Sequence, residues 1–240
     1  MKIIEKTDDK LKFVSELDES LVNAIRRYVY NIPVLAVDEV EISKNDSSLY
    51  DETIAHRLGL IPLKSDSSAS EKSQIFLKVC SEKDGMVYSG NMSGKLMPVY
   101  DKIPIVFLNK NQEVDISMGV RYGKGIEHSK FSPGIIFYRN VFDLKIDKDC
   151  PHDAVSSCPK KLLKLDGGKV AITDTYSCDS CEACVEFCQK KKKESINVSP
   201  SKEIFITIES FGQISPEEIF TESIDSFKKD LKEFSKGIEK

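Results

Sequence analysis

The 240-residue sequence lacks several features that would place it in a common class. Met1–Asp9 is charged and has no apolar core, so we expect no secretory signal. No apolar run approaches the roughly 20 residues that span a bilayer, so no membrane segment is expected. The net charge of −4 argues against a protein that binds nucleic acid through an extended surface. With seven cysteines and no signal, we expect a reducing cytoplasm and metal ligation rather than a disulfide framework.

Signatures of catalysis are also missing. The sequence contains no glycine-rich fingerprint of a flavin or nicotinamide site. The neighbours His56 and Arg57 would suit acid–base chemistry, but neither a nucleophile motif nor a cluster of catalytic acidic residues accompanies them. The sequence therefore predicts no catalytic residue in this chain.

Cysteines are concentrated in one short segment. Cys178, Cys181, Cys184 and Cys188 have the spacing C-x2-C-x2-C-x3-C, which is typical of iron–sulfur sites in bacterial-type ferredoxins. Zinc sites usually use pairs of C-x2-C units that lie far apart. The spacing therefore predicts an iron–sulfur cluster, and the alternative is a loop that carries reduced cysteines.

The ligand set extends beyond this run. In two-cluster ferredoxins the fourth cysteine of a run, usually followed by proline, binds the other cluster, and Cys158-Pro159 has that form. A second run would need cysteines at Lys148, Pro151 and Ala154, so we expect only one cluster. The predicted ligands are Cys158, Cys178, Cys181 and Cys184.

The remaining cysteines have no predicted metal. Cys188 is followed by Gln189 rather than proline, and it either forms a disulfide with Cys150 or stays reduced. Cys80 falls in a predicted strand and is expected to be buried, because free cysteines are often buried.

The two ends of the chain read as mixed α and β structure. A strand is predicted within 3–17, a helix over 18–31 that Pro33 ends, and a strand over 34–43. Near the C-terminus a strand over 203–209 precedes a helix, which Ser215 and Glu218 begin as a capping box. Between the ends lie a polar loop at 64–74 and short β-type runs at 75–80, 103–108, 114–122 and 135–144.

Both terminal helices carry an apolar stripe. The first stripe contains Leu21, Ile25 and Val29, and the second contains Phe220, Ile224, Phe227, Leu231 and Phe234 at heptad-like spacing. The stripes predict either ordinary core helices or helices that pack on a partner chain. Packing on a partner chain is favoured, because the sequence shows no other segment that would obviously cover the two helices.

Several segments together resemble one protein family. Asn23–Arg27, Ile32–Ile42 and Asp51–Leu63 resemble the archaeal members of the RNA polymerase alpha family, which are relatives of the bacterial alpha subunit and of the third-largest eukaryotic subunit. Gly123–Pro133 resembles a second segment of that family. The cysteine segment resembles the ferredoxin-like insert of many archaeal members.

The resemblance implies an α+β fold with a split dimerisation domain like that of the bacterial alpha subunit. This domain would comprise 1–44 and 200–240, with an inserted β-rich domain at 45–146 and a ferredoxin-like iron–sulfur domain at 147–199. One cluster is implied, either 4Fe-4S or 3Fe-4S.

The resemblance also implies partners. Subunit L would pack on the two terminal helices, and the pair would form a platform for the second-largest subunit and the small subunits N and P. This chain would contact nucleic acid only indirectly, as part of the holoenzyme. His56 and Arg57 would contact other subunits, whereas Arg26 and Arg27 would either bind acidic surfaces of the catalytic subunits or remain solvated.

Two other interpretations compete with this one. A ferredoxin-like electron-transfer subunit of an oxidoreductase would explain Cys158–Cys188 but would leave most of the chain unused. A nucleic-acid-binding module based on Lys190–Lys193 is disfavoured by the acidic net charge.

Overall fold

The computed structural model describes residues 1–64, 73–193 and 195–238. The predicted polar loop at 64–74 therefore lies mostly outside the described residues. The chain forms two compact units, of which the first comprises 1–5, 12–22 and 137–207 and the second comprises 6–11, 23–136 and 208–240. Within the described ranges, no helix combines the length and apolar character needed to cross a membrane.

The regular elements are mostly strands. The described strands are β1 (Lys2–Lys6), β2 (Lys10–Ser15), β3 (Pro33–Asn45), β4 (Gln74–Cys80), β5 (Gly85–Tyr88), β6 (Ser93–Gly94), β7 (Pro104–Leu108), β8 (Glu113–Lys124), β9 (Gly134–Ile146), β10 (Leu163–Asp166), β11 (Lys169–Ile172) and β12 (Ile196–Ser210). The α-helices are α1 (Glu19–Tyr28), α2 (Asp51–Gly59), α3 (Ala183–Lys190) and α4 (Pro216–Ile238).

The second unit contains an antiparallel sheet of order β3-β8-β4-β6 and a separate β5–β7 pair. Along the central strand β8, buried side chains alternate with more exposed ones. The buried side chains are Val114, Ile116, Met118 and Val120. Successive strand residues face opposite sides of a sheet, so this alternation turns one face of β8 to the core. Ile54 and Leu58 of α2 pack into the same core.

The first unit contains a sheet of order β1-β2-β12-β9 and the β10–β11 hairpin, and β9 and β12 also contain residues of the second unit. The hairpin turn is Gly167-Gly168, where both residues have positive φ (54° and 78°). A two-residue turn of this kind matches the twist of the flanking strands, and glycine adopts it without a steric penalty.

The start of α4 confirms the predicted capping box. The Ser215 hydroxyl accepts a hydrogen bond from the Glu218 backbone N–H (3.3 Å), and the Glu218 carboxylate accepts one from the Ser215 N–H (3.0 Å). Pro216 occupies the first helical position, where its missing N–H costs nothing.

Strand pairing joins segments that lie on different sides of the predicted domain boundaries, which stay a prediction. The segment β3, assigned to the dimerisation domain, pairs along its length with β8 of the predicted insert. The segment β9, assigned to the insert, lies beside β12 of the C-terminal part. The compact units therefore do not coincide with the boundaries at 44, 146 and 199, because long-range strand pairing decides them.

Two local features departed from expectation. Cys80 is exposed rather than buried, because β4 turns alternate residues inward and Cys80 falls on the outer face with Phe76 and Lys78. The helix α2 was not predicted from the sequence. Acidic residues in its first turn and basic ones in its last, which suit the helix dipole, are the signal that could have found it.

Candidate functional site

The four predicted ligand cysteines line one recess in the first unit. The recess has an empty volume of about 420 Å³, which includes open solvent at its mouth. The sulfur-bearing residues are Cys158, Cys178, Cys181 and Cys184, and apolar side chains complete most of the wall: Leu144, Pro159, Leu162, Leu163, Ile172 and Val198. The fold thus gathers four thiols that are spread over 27 positions of the sequence.

A strained loop carries three of these cysteines. Ser180 and Glu182, on either side of Cys181, have left-handed backbones with φ of 55° and 57°. Such a conformation costs a non-glycine residue about 1 kcal/mol or more, so it persists only where the surrounding structure requires it. The loop ends at α3, whose second residue is Cys184. Left-handed residues between the cysteines therefore bend the chain around the recess.

Hydrogen bonds hold the rim of the recess. The Cys158 sulfur accepts a hydrogen bond from the Leu162 N–H (3.4 Å). The Cys178 carbonyl accepts one from the Arg139 guanidinium (2.9 Å), which also lies 4.5 Å from the centre of the Phe205 ring. Burial raises the pKa of the Cys184 thiol, while backbone N–H groups at the start of α3 lower it. A thiolate at this position therefore needs a positively charged ligand to be stable.

The composition of the donor set can be compared with that of metal sites. Among the residues that the structure describes, no three His, Cys, Asp or Glu side chains lie close enough to hold one metal ion. In an iron–sulfur cluster the thiolates bind different irons, so the sulfurs stand further apart than the ligands of one zinc ion. Four cysteines around an apolar recess therefore have the composition of a cluster site.

Cys150 and Cys188 form a second pair of thiols. Both are buried free cysteines and neither lines the recess. Burial raises the pKa of the Cys150 thiol, and the adjacent Cys188 thiol acts in the same direction. In the structure both are free cysteines, with no bond between them.

The predicted interface residues fall into three groups. Ile25 and Val29 are buried within this chain, at 5% and 1% exposure. Phe220, Ile224 and Phe227 are half-buried. The exposed members are Leu21 (40%), Leu231 (50%) and Phe234 (68%), and Ile238 (71%) extends the α4 stripe.

The middle of α4 packs on the end of α1. The Phe227 and Tyr28 rings lie 5.0 Å apart. Burial and the Asp230 carboxylate raise the pKa of Tyr28. Intramolecular packing thus covers one part of the stripe, and its last turns stay open to solvent.

The four predicted assembly residues have different surroundings. Arg26 donates two hydrogen bonds to the Asn23 side chain (3.2 and 3.0 Å), and Arg57 donates one to the Ile105 carbonyl (2.8 Å). Arg27 and His56 are exposed. His56 lines a surface recess with His128 and Lys130.

An ion-pair network that the sequence did not reveal fixes the loop after β8. Asp38 pairs with Lys130 (2.8 Å) and Arg121 (3.0 Å), and Arg121 pairs with Glu127 (3.1 Å). Hydrogen bonds from Lys130 and Arg121 hold the pKa of Asp38 below its usual value. The guanidinium of Arg121 and the ammonium of Lys130 also lie 4.8 and 4.9 Å from the centre of the buried Phe131 ring. The network thereby sets the position of His128 and Lys130.

Comparison with known proteins gives consistent relatives. The family model of the RNA polymerase Rpb3/Rpb11 dimerisation domain matches residues 13–231. The chain is 30% identical to DNA-directed RNA polymerase subunit Rpo3 of Methanobrevibacter smithii, over 94% of this chain and 93% of the relative. It is 29% identical to Rpo3 of Archaeoglobus fulgidus, over 100% and 97% of the two chains. Rpo3 of Thermococcus kodakarensis is 39% identical over 62% of each.

Proposed function

The chain belongs to the family of the RNA polymerase Rpb3/Rpb11 dimerisation domain, and we propose how its surfaces and cysteines serve that family's role. It is a non-catalytic assembly subunit of DNA-directed RNA polymerase that heterodimerises with subunit L, and nucleotidyl transfer takes place on other chains. The single observation that carries this conclusion is the family match over residues 13–231. A ferredoxin-type electron carrier would explain only the cysteine segment.

Subunit L binds the open part of α4 in this proposal. Leu231, Phe234 and Ile238 follow one another at helical spacing and are at least half exposed. A contiguous exposed stripe of this kind marks an interaction surface, because monomeric proteins rarely leave one uncovered. Leu21 is the exposed member of the set on α1 and is a second contact candidate. Ile25 and Val29 support the helix from inside the chain.

One iron–sulfur cluster, 4Fe-4S or 3Fe-4S, binds to the predicted ligands in the first unit. Four thiolates and a largely apolar wall are the support for this assignment. When bound, the cluster would cross-link the segments around Cys158 and Cys181. The free energy of metal binding would then stabilise the folded state, as it does in small metal-binding domains. The Leu162 N–H and the Arg139 side chain orient the ligands at Cys158 and Cys178.

Further subunits complete the platform. The second-largest subunit and the small subunits N and P join the pair of this chain with L, and nucleic acid is met only through the assembled enzyme. Arg27, His56 and Arg57 are exposed candidates for these contacts, although Arg57 also bonds to the Ile105 carbonyl, whereas Arg26 is half-buried and bonds to Asn23. A cytoplasmic location also stays a prediction.

Co-expression with subunit L tests the proposal. Size-exclusion chromatography should give a one-to-one heterodimer, and iron and sulfide analysis together with visible absorbance should report the cluster. A monomer that does not bind L would contradict the assembly function. A colourless heterodimer that stays iron-free after anaerobic reconstitution would contradict the cluster and leave the assembly function intact.

A further inference from the structure

The four proposed ligand cysteines are not equally accessible to solvent. Cys184 is buried, Cys158 and Cys178 are half-buried, and Cys181 is exposed. The recess that they line therefore has one corner, at Cys181, that opens to solvent. Because the reactivity of a cysteine follows its exposure, Cys181 is the ligand that an oxidant or a competing metal reaches first.

A carboxylate stands at this open corner. Asp179 lines the recess two residues before Cys181, and the backbone turns sharply between them at Ser180, whose φ is 55°. A hydrogen bond from Lys160 is the main cause of a lowered pKa at Asp179, and a hydrogen bond from the Cys181 thiol acts in the same direction. An ionised oxygen donor thus lies in contact with the sulfur of the exposed ligand.

The position of the Asp179 carboxylate is fixed by its neighbours. It pairs with the Lys160 ammonium (3.0 Å), which also donates a hydrogen bond to the Ser177 carbonyl (3.1 Å). The backbone just before it is held as well, since the Arg139 guanidinium donates to the Cys178 carbonyl (2.9 Å). The carboxylate is therefore positioned at the mouth of the recess before any metal binds, in the way that outer groups orient metal ligands.

The chemistry of a carboxylate suits a secondary iron ligand. Carboxylate oxygens bind iron in many proteins, but they are harder ligands than thiolates, which iron–sulfur clusters prefer. Individual irons of a cluster accept ligands other than thiolate, as the two histidines of Rieske centres show. Asp179 would therefore bind an iron of the cluster more weakly than Cys181 does, and only when that sulfur is not available.

We propose that Asp179 is a reserve ligand for the iron that Cys181 binds, and that its carboxylate retains this iron when the Cys181 sulfur leaves. The exchange moves no electrons. A carboxylate lone pair replaces the Cys181 thiolate on the iron, and the released thiolate takes a proton from water. The proposal rests on the proposed function, because it requires the cluster in this recess. It also commits the site to a four-iron cluster, because the three-iron form has no iron at one corner.

The experiment uses the full chain paired with L and reconstituted anaerobically with ferrous iron and sulfide. Iron per chain and the EPR signal of the oxidised three-iron cluster are measured for Cys181→Ala and for Cys181→Ala/Asp179→Asn. Alanine removes the preferred ligand and offers no new donor atom. The single variant should keep part of its cluster in the four-iron form, and the three-iron signal per cluster should be about twofold larger or more in the double variant.

Two further substitutions in the Cys181→Ala chain separate iron ligation from charge and from loop support. Glu182→Gln removes the other carboxylate of the lining, and Lys160→Met removes the ion pair but leaves the Asp179 carboxylate. Neither substitution should raise the three-iron signal as Asp179→Asn does. An equal rise in either control, or no rise with Asp179→Asn, would overturn the proposal.

A second measurement keeps all four cysteines, so it does not depend on cluster assembly in the Cys181 variants. The rate at which a chelator removes the first iron is compared among the unchanged chain, Asp179→Asn and Glu182→Gln. Asp179→Asn should release this iron about threefold faster or more, because no carboxylate recaptures it when the bond to Cys181 opens, whereas Glu182→Gln should match the unchanged chain.

The outcomes distinguish the reserve ligand from the cluster itself. Equal release rates in all three chains would overturn the proposal, and so would an unchanged chain that assembles only the three-iron form. Both results would leave the cluster in place. An unchanged chain that stays iron-free after reconstitution would instead contradict the proposed cluster.

Discussion

Asp38 and Lys130 form an ion pair across 92 positions of the sequence, with 2.8 Å between Oδ1 and Nζ. The Lys130 side chain is only 14% exposed, and this carboxylate is its counter-charge. The pair ties β3 to the loop that carries His128, and it contributes both to stability and to the shape of the surface.

Replacing Asp38 by Asn should destabilise the protein by about 1–2 kcal/mol, since a largely buried ammonium would lose its counter-charge while partial exposure softens the loss. Urea unfolding measures the change. Asp115→Asn removes the partner of Lys78, whose side chain is 66% exposed, and serves as the control, with little expected effect. Equal effects of the two substitutions would show that the Asp38 pair has no special role.

The same network predicts a pH dependence. Bonds from Lys130 and Arg121 lower the pKa of Asp38, and Arg121 lowers that of Glu127. A carboxyl whose pKa is lower in the folded state stabilises the protein fully above its unfolded pKa, and that stabilisation is lost as pH falls through the folded value. The free energy of unfolding should therefore decrease as the pH drops below 3.8, the ordinary pKa of Asp. This decrease should be shallower in Asp38→Asn. Unfolding free energies measured from pH 7 downward test this, and parallel curves would contradict it.

Cys181→Ser should lower bound iron without abolishing pairing with L, because the exposed α4 stripe belongs to the other compact unit. Iron analysis and a pull-down of L on the same sample measure both effects. Cys80→Ser is the matched control, since Cys80 is also exposed but does not line the recess. Loss of iron and of L to the same extent would show that the cluster also supports the dimer surface.

Phe234→Ser should weaken pairing with L by about 1.5–3 kcal/mol, the range for exposing a buried phenylalanine side chain. Phe234 is 68% exposed in the single chain, so the stability of the uncomplexed protein should change little. Titration of labelled L measures the affinity. Phe76→Ser, at a 43% exposed position on β4, is the control. Unchanged affinity of the Phe234 variant would place L elsewhere.

Cys150 and Cys188 should remain reduced and unreactive in the folded protein. Both are buried, and burial raises the pKa of Cys150, so little nucleophilic thiolate forms. Alkylation followed by peptide mass analysis should label the exposed Cys80 before unfolding and this pair only after it. A peptide mass lower by two hydrogens would reveal a disulfide, the alternative that the sequence leaves open.

Local patterns predicted much of the structure. The capping box at Ser215 and Glu218 marked the start of α4, and Pro33 follows the helical turns that continue α1. The cysteine spacing together with Cys158-Pro159 grouped four residues that the fold places around one recess. These signals succeed because each depends on residues a few positions apart, or on a recurring motif.

The sequence by itself determined the type of most elements, the set of clustered cysteines and the resemblance that the family match bears out. Only the tertiary structure decided that Ile25 is core while Phe234 is surface, and that Asp38 pairs with Lys130. The physical reason is that burial and charge pairing depend on which distant segments pack together, and periodicity within one helix or strand carries no information about that choice.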